Sequence, residues 1–386
     1  MFIKKSISFI VGIMTAFSLL PASDVLSSAS ERTSVLLGDA NNDGYVTMAD
    51  YTMVLQFLSG ACMVSDYEFT AMDINNDKII DKTDAYIIMY HDAYNIQPQT
   101  VNKTLYTLPD NASLRYKKYI CSTGVASTYY LSATSLNEAS NSISNRDLMS
   151  ISPDYYDDEN TNVVQLIASD GSFGSGFVIS DHIIATAAHC VYNSNGFVSG
   201  VTVKVYNESA NTNPANCIAT FSAQSYHIPY LYTSMLAPYN DNYDYALIYV
   251  GNDIYGNGLL DYVDPWEFGI STQEFSQAEM GLVTTSGYTA YPNGQGFYRY
   301  YSTGSVLDFT PFDSEGNNNP ALRITSLGAC NGGKSGGIMY YSSSFSNFFK
   351  KSAIGITTGG YAPNIGTWGT RVTPALIRFY KQNPYI

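Results

Sequence analysis

Positive charge is scarce in this chain. Nineteen Lys and Arg stand against thirty-three Asp and Glu, the formal net charge is −14, and no basic block occurs along the 386 residues. A nucleic-acid partner requires a basic face that displaces counterions from phosphates, so nucleic-acid binding is excluded as the function. Cysteine is scarce too: five residues, at positions 62, 121, 190, 217 and 330, are too few and too scattered for a disulfide framework. At least one stays unpaired in a monomer. Cys190 and Cys217 are near enough in sequence to close a local loop, but spacing alone does not establish a bridge, and buried apolar thiols are the equal alternative.

Long hydrophobic runs are absent apart from one, Ile7 to Leu20, which follows Lys4 and Lys5 and precedes Pro21-Ala22-Ser23 and a small-residue run to Ala29. Gly12, Thr15 and Ser18 interrupt it, and it falls short of the roughly 20 apolar residues of a membrane-spanning helix. The pattern reads as a signal peptide over residues 1–29, so the chain is expected outside the cell with no membrane insertion. A length of 386 residues is enough for two or three folded units, and a hydrophobic content of 45% excludes a wholly disordered chain. Thirty-four tyrosines with 13% charged residues suggest a polar, weakly charged surface, as in many extracellular proteins.

Residues 39 to 50 read Asp-Ala-Asn-Asn-Asp-Gly-Tyr-Val-Thr-Met-Ala-Asp. Oxygen side chains therefore fall at loop positions 1, 3, 5, 9 and 12 (Asp39, Asn41, Asp43, Thr47 and Asp50), with the Tyr45 carbonyl at position 7, as in a calcium loop. Gly44 at position 6 permits the sharp turn around the ion. Residues 73 to 84 repeat the plan with Asp73, Asn75, Asp77, the Ile79 carbonyl, Asp81 and Asp84, and Lys78 takes the glycine position. Two copies in register, 34 residues apart, imply two bound Ca2+ ions. An amphipathic helix follows each loop, Tyr51 to Leu58 and Ala85 to His91, and no entering helix is expected before either. This duplicated half EF-hand, with aspartate closing both loops, resembles type I dockerin modules over residues 34–95. The resemblance implies a small all-α calcium-binding module whose partner is a cohesin domain of a scaffold protein. Met48, Ala49, Lys82 and Thr83 stand at the partner-reading positions of such modules.

Residues 96–144 are rich in Ser, Thr, Asn and Ala, with Pro98 and Pro109 as breakers and no sustained period. They read as a linker or propeptide, with Asn145-Arg146-Asp147 as a possible maturation site at its end. From residue 145 the pattern changes to short strands divided by turns, Val163 to Ala168, Gly176 to Ser180, Val201 to Tyr206, Tyr245 to Val250 and Ala353 to Thr358, as in a β-sandwich or pair of barrels.

Three motifs follow one another in this region. Gly174-Ser175-Gly176-Phe177-Val178-Ile179 leads into Thr186-Ala187-Ala188-His189-Cys190, then come Asp244-Tyr245-Ala246-Leu247-Ile248 and Gly332-Gly333-Lys334-Ser335-Gly336-Gly337. A serine hydroxyl attacks a carbonyl only when a neighbouring base removes its proton, and an imidazole titrating near neutrality suits that task. His189 is the candidate base, Asp244 the group that orients it, and Ser335 the nucleophile. The surrounding glycines let the backbone fold tightly enough for the amides of Gly333 and Ser335 to converge on an oxyanion. Asp241 and Asp253 compete for the acid role without the Asp-x-Ala-Leu context. His91, His182 and His227 lack matching flanks and read as structural or exposed.

The motifs and their His, Asp, Ser order resemble the chymotrypsin-like serine peptidases, and the Gly-Ser-Gly-Phe-Val-Ile-Ser opening is most similar to the bacterial glutamyl endopeptidase branch. The resemblance covers residues 145–386, including Gly287-Tyr288, Thr370-Arg371-Val372-Thr373 and a closing helix from Pro374 to Gln382. It implies a mainly β, trypsin-like double β-barrel with a C-terminal helix, acting on protein or peptide substrates through an acyl-enzyme, with no cofactor for catalysis. The chain also departs from these families. Lys334 stands where the animal enzymes carry the aspartate that pairs with a freed N-terminus, Thr357 and Cys330 stand where glutamyl endopeptidases carry acid-reading histidine and threonine, and Ala329 stands at the trypsin counter-charge position. An uncharged or apolar P1 residue is therefore expected. A catalytically silent trypsin-like fold serving as a binding module is the alternative reading.

Overall fold

The computed structural model describes residues 32–58, 62, 64–77, 79–106, 115–130, 155–157, 159–207, 212–234, 243–271, 282–290, 297–308, 323–326, 332–342, 352–360 and 367–381. The expected signal peptide, Lys78, residues 145–147, Asp241, Ala329 and Cys330 lie outside them. The N-terminal unit runs β1 (Thr33–Leu36), α1 (Met48–Leu58), α2 (Asp66–Met72), β2 (Ile79–Ile80), α3 (Lys82–Ala93) and β3 (Thr100–Lys103). Both calcium-like loops thus pass directly into helices, as expected. The second loop, however, does have an entering helix: Ser65 starts α2 with a capping box, its hydroxyl accepting from the Glu68 amide while the Glu68 carboxylate accepts from the Ser65 amide. The unit is also not purely helical, because β1 and β3 pair antiparallel from Thr33↔Lys103 to Leu36↔Thr100 and clasp its two ends.

Its core joins Val54, Phe57 and Leu58 of α1 to Phe69 and Met72 of α2, with Ala85 and Ile88 of α3 below them. Phe57 and Phe69 meet edge-on with centroids 5.8 Å apart, and Phe69 meets Tyr106 at 6.3 Å. Each such side chain contributes about 1.5–3 kcal/mol when fully buried. Tyr106 was expected in the linker, yet it is wholly buried here, and its hydroxyl donates to Asp73 Oδ2 at 2.8 Å.

Two further strands fall within the expected linker, β4 (Arg115–Ile120) and β5 (Val125–Tyr130). They form a hairpin that joins the first large sheet. After β6 (Tyr155–Tyr156), that sheet continues with β7 (Val163–Ala168), β8 (Phe173–Ser180) and β9 (Ile183–Thr186). A short ribbon, β10 (Tyr192–Asn193) and β11 (Gly196–Phe197), precedes β12 (Val201–Tyr206), β13 (Cys217–Pro229) and β14 (Ala246–Val250). The order β12-β7-β8-β9-β14-β13 closes through a β12–β13 pairing into a six-stranded barrel, and β4-β5 attach to the far half of β13. Alternation drives this closure: Val201, Val203 and Val205 of β12 and Ala219, Phe221 and Ala223 of β13 face inward between less buried neighbours. Tyr119 of β4 seals one end by stacking on Tyr226 at 5.6 Å and on Phe197 at 4.9 Å.

The second sheet comprises β15 (Glu267–Phe268), β17 (Leu282–Ala290), β18 (Phe297–Asp308), β19 (Arg323–Ser326), β20 (Ile338–Ser342), β21 (Ser352–Gly360) and β22 (Thr367–Arg371). Its order β21-β20-β17-β18-β19-β22 also closes, through β21–β22. The outlying β16 (Ile270–Ser271) pairs instead with β2. The fold is therefore mainly β and trypsin-like, with a helical unit at its N-terminus. A short helix α4 (Tyr230–Ser234) follows β13, and the last helix, α5 (Pro374–Lys381), lies between the parts. Phe379 of α5 stacks on Tyr116 of β4 at 4.4 Å, and Tyr380 stacks on Phe268 at 5.3 Å while donating to the Ala246 carbonyl. Cys62, Cys121, Cys190 and Cys217 are all free thiols, so Cys190 and Cys217 are not bridged. Among the described residues no helix is long and apolar enough to cross a membrane.

Candidate active site

His189 sits in a single 3-10 turn, Ala188–Cys190, just beyond the end of β9. Ala187 and Ala188 are fully buried and pin the turn, while the Thr186 hydroxyl donates to the Ser175 carbonyl at 2.7 Å. Asp244 comes from another strand, immediately before β14. Its neighbour Tyr245 is buried against Phe379 and Tyr380, and its own carbonyl accepts from Thr370 of β22 at 3.3 Å. The two side chains meet: Asp244 Oδ2 lies 2.7 Å from His189 Nδ1, and Oδ1 accepts from the His189 backbone amide at 2.9 Å. One carboxylate thus holds both the ring and the turn beneath it. Burial opposes a charged imidazole here, but the facing Asp244 carboxylate, with Cys190 beside the ring, outweighs it and holds His189 well above its ordinary value. The carboxylate is 6% exposed and the imidazole 35%, so the buried partner orients and the accessible one can exchange protons.

Ser335 lies on the turn that opens β20, and that turn is clamped from three sides. The Ser335 carbonyl accepts from the Ser175 amide at 2.8 Å, the Gly336 amide donates to the Thr357 carbonyl at 2.6 Å, and the Gly337 amide donates to the Lys334 carbonyl at 2.9 Å. Gly336 has φ of +82°, and any side chain there would overlap the Ser175 carbonyl and the Thr186 hydroxyl. Only glycine fits. The Cys190 sulfur, one residue after the base, lies 3.5 Å from the Ser335 carbonyl, so the serine turn abuts the histidine turn. The structure therefore brings together in one place the three segments that carry residues 189, 244 and 335, which are remote in sequence.

Ser175 has a role that sequence reading did not assign. Its hydroxyl donates to the Gly333 carbonyl at 2.8 Å and accepts from the Tyr288 amide at 2.7 Å, fixing the peptide whose neighbouring amides are the oxyanion candidates. The Gly-Ser-Gly motif was its only signal. Lys334 is fully buried and donates to Ser302 at 2.9 Å, so it is tied into the second barrel. Thr357 is fully buried as well, with no hydrogen-bond partner for its hydroxyl. Asp253 caps a surface turn, accepting from the Tyr262 hydroxyl at 2.6 Å and the Tyr255 amide at 2.8 Å, and is not brought to His189. His182 faces Asp181 at 3.6 Å, and His227 is buried between Tyr129 and Ser225.

The two calcium-like loops share one hydrogen-bond plan. Asn41 Nδ2 donates to Asp43 Oδ2 at 3.0 Å as Asn75 does to Asp77, and the Tyr45 amide donates to Asp43 at 2.9 Å as Ile79 does to Asp77. Asp50 accepts from the Thr47 amide at 2.8 Å, and Asp84 from the Asp81 amide at 2.9 Å. Asn42 and Asn76 both have φ of +57°. Asp39, Asp50, Asp73 and Asp84 are buried. Burial, with Asp73 and Asp81 close by, pushes Asp77 up to about 7, and burial with Asp73, Asp81 and Asp77 raises Asp84 well above the carboxylate range. So many oxygen donors, mutually repelling when ionised, suit a hard divalent cation. Among the described residues no three His, Cys, Asp or Glu side chains already stand in ligating geometry. The loops thus hold the donor types and backbone turn, with several side chains bonded to one another.

A two-barrel fold with a histidine–carboxylate pair from one barrel and a glycine-clamped serine from the other defines the trypsin-like class. Comparison with known proteins agrees: residues 174–343 match the family model described as trypsin-like peptidase domain, and residues 37–91 match the dockerin type I domain. The chain carries a trypsin-like peptidase domain and an N-terminal type I dockerin domain. Type I dockerin domains typically bind calcium. No curated protein matches the chain. Similar solved structures include a Glu endopeptidase in complex with MPD, 17% identical, covering 61% of this chain and 100% of that one with a TM-score of 0.46. Another is the protease Anisep from Arthrobacter nicotinovorans, 18% identical, covering 60% of this chain and 98% of that one with a TM-score of 0.45.

Proposed function

We propose that this chain is a secreted serine endopeptidase that its dockerin attaches to a cohesin-bearing scaffold. The observation that carries the catalytic half is the double hydrogen bond from Asp244 to His189, beside the clamped turn of Ser335. With Nδ1–H held by Asp244, the other ring nitrogen of His189 is left as the acceptor for the Ser335 hydroxyl proton. Ser335 attacks the scissile carbonyl, and the amides of Gly333 and Ser335 receive the developing oxyanion, each donor worth about 3 kcal/mol. His189 then gives its proton to the leaving amine, and water releases the acyl group by the reverse path. Ala329 at the counter-charge position, with Thr357 and Cys330 at the acid-reading positions, supports an uncharged or apolar P1 residue.

The docking half rests on the type I dockerin match and on the paired loop geometry. In the first loop Asp39, Asn41, Asp43, Thr47, Asp50 and the Tyr45 carbonyl would hold one Ca2+. Asp73, Asn75, Asp77, Asp81, Asp84 and the Ile79 carbonyl would hold a second. When bound, the ions fix the loops and so present the helices to a cohesin. Cleavage profiling of a denatured protein mixture by mass spectrometry tests the proposal. Wild type should cut mainly after uncharged residues, and Ser335→Ala should lose about six orders of magnitude in kcat. Equal cleavage by both proteins refutes the enzyme and favours a silent binding module, while dominant cleavage after Glu, Arg or Lys refutes the specificity.

A further inference from the structure

The two calcium loops differ in what surrounds them. Position 7 of the first loop, Tyr45, is 71% exposed, whereas its counterpart in the second, Ile79, is 2% exposed. The difference comes from the peptidase domain. Ile79 and Ile80 form β2, which pairs antiparallel with β16 through Ile79↔Ser271 and Ile80↔Ile270. Asp81, at position 9, accepts from the Ser352 hydroxyl at 2.7 Å, and Lys82 reaches Glu267 at 2.5 Å. Gly269 lies between them, where an added Cβ would come within 2.9 Å of Ile79, 3.1 Å of Ser352 and 3.3 Å of Asp81. The Lys82–Glu267 pair is partly exposed and contributes little by itself. The buried strand pairing and the Asp81–Ser352 bond therefore carry the junction.

Ser352 is the first residue of β21. Its neighbours pair in parallel with β15 through Glu267↔Ser352 and Phe268↔Ala353. Five residues further along the same strand, about 17 Å at the usual rise, Thr357 accepts from the Gly336 amide beside Ser335 and donates to the Gly337 carbonyl. One strand is thus gripped at one end by the second calcium loop and at the other by the nucleophile turn.

We infer that the second loop is a structural calcium site of the peptidase domain, while the first serves the dockerin alone. This rests on the calcium reading above. Calcium drawn to the Ile79 carbonyl and Asp81 fixes the same residues that touch β15, β16 and β21. Without it, nothing bridges the crowded carboxyl groups of residues 73, 77, 81 and 84, and the loop that carries β2 loses its anchor at the junction. The coupling is reciprocal, so loosening the peptidase side weakens calcium binding at this loop only.

The test uses the full chain, with calcium titrated calorimetrically and hydrogen exchange followed by mass spectrometry. Wild type should bind two Ca2+, and calcium should slow exchange at residues 267–271 and 352–357 by about tenfold or more. Asp84→Ala should abolish that protection and Asp39→Ala should retain it. Ser352→Ala and, separately, Gly269→Ala should weaken one of the two calcium sites by about five- to tenfold, leaving the other unchanged. Two bound calcium ions with unchanged exchange at these segments would overturn the inference alone, as would equal effects of Asp39→Ala and Asp84→Ala. A wild type that binds no calcium would overturn the calcium reading and the inference together.

Discussion

Replacing Asp244 by asparagine preserves the volume of a buried side chain and removes its charge. The carboxylate now accepts twice from His189, at the backbone amide and at Nδ1. Asparagine has one acceptor oxygen, so when that oxygen keeps the backbone amide its NH2 faces Nδ1. The ring must then carry its proton on the other nitrogen, which no longer accepts from a serine. A lost charge-assisted hydrogen bond alone accounts for about 1.5–3 kcal/mol. The wrong tautomer adds to it, and the total expected is about 10⁴-fold in kcat, as for this substitution in Ser-His-Asp triads, or roughly 5.4 kcal/mol. The pH profile moves as well. The neutral imidazole is the base, so wild-type activity is lost as pH falls through the raised His189 value. Without the carboxylate, burial acts with its main opponent gone, which disfavours the charged ring and shifts that limb to lower pH. Steady-state hydrolysis of a peptide anilide with an apolar P1 residue, from pH 5 to 10, reads both effects. A kcat within tenfold of wild type with an unmoved limb refutes the assignment of Asp244.

Gly336→Ala places a methyl group onto the Ser175 carbonyl and Thr186 hydroxyl at a left-handed backbone position. It should destabilise the peptidase domain by about 2–4 kcal/mol in urea denaturation and abolish hydrolysis; wild-type behaviour in both would mean the turn is not clamped as described. His227 is fully buried and bonded to the Tyr129 hydroxyl at 2.9 Å, and burial lowers it to about 3. The unfolded chain binds its proton near pH 6.5 and the folded chain does not, so stability falls with pH, by about 2 kcal/mol from this group between pH 7 and 5. His227→Gln should flatten that loss in melting curves at the two pH values, and an unchanged slope counts against a neutral buried histidine.

Much of the peptidase domain was readable because its strands alternate cleanly. Val163–Ala168 and Val201–Tyr206 were expected and form with those limits. Residues 115–130 were not, since Ser and Thr around a short Cys121-to-Gly124 turn mask a hairpin whose buried residues are tyrosines at 116, 119 and 129. The entering helix α2 was missed although Ser65 and Glu68 spell its capping box. The pieces of the candidate site were legible because acyl transfer demands particular side chains with tight glycine flanks. The junction between the second calcium loop and the barrel was not, because it joins residues such as Lys82 and Glu267, 185 positions apart, and no local pattern encodes such a meeting.

In the proposed mechanism His189 and Asp244 activate the hydroxyl of Ser335. Treatment of the full chain with a fluorophosphonate, followed by peptide mass mapping, measures this at the atom concerned. A single adduct on Ser335, formed in wild type and lost in His189→Ala, is the expected result. Adduct formation elsewhere, or equal labelling of Ser335 without His189, would mean that this triad does not activate the serine.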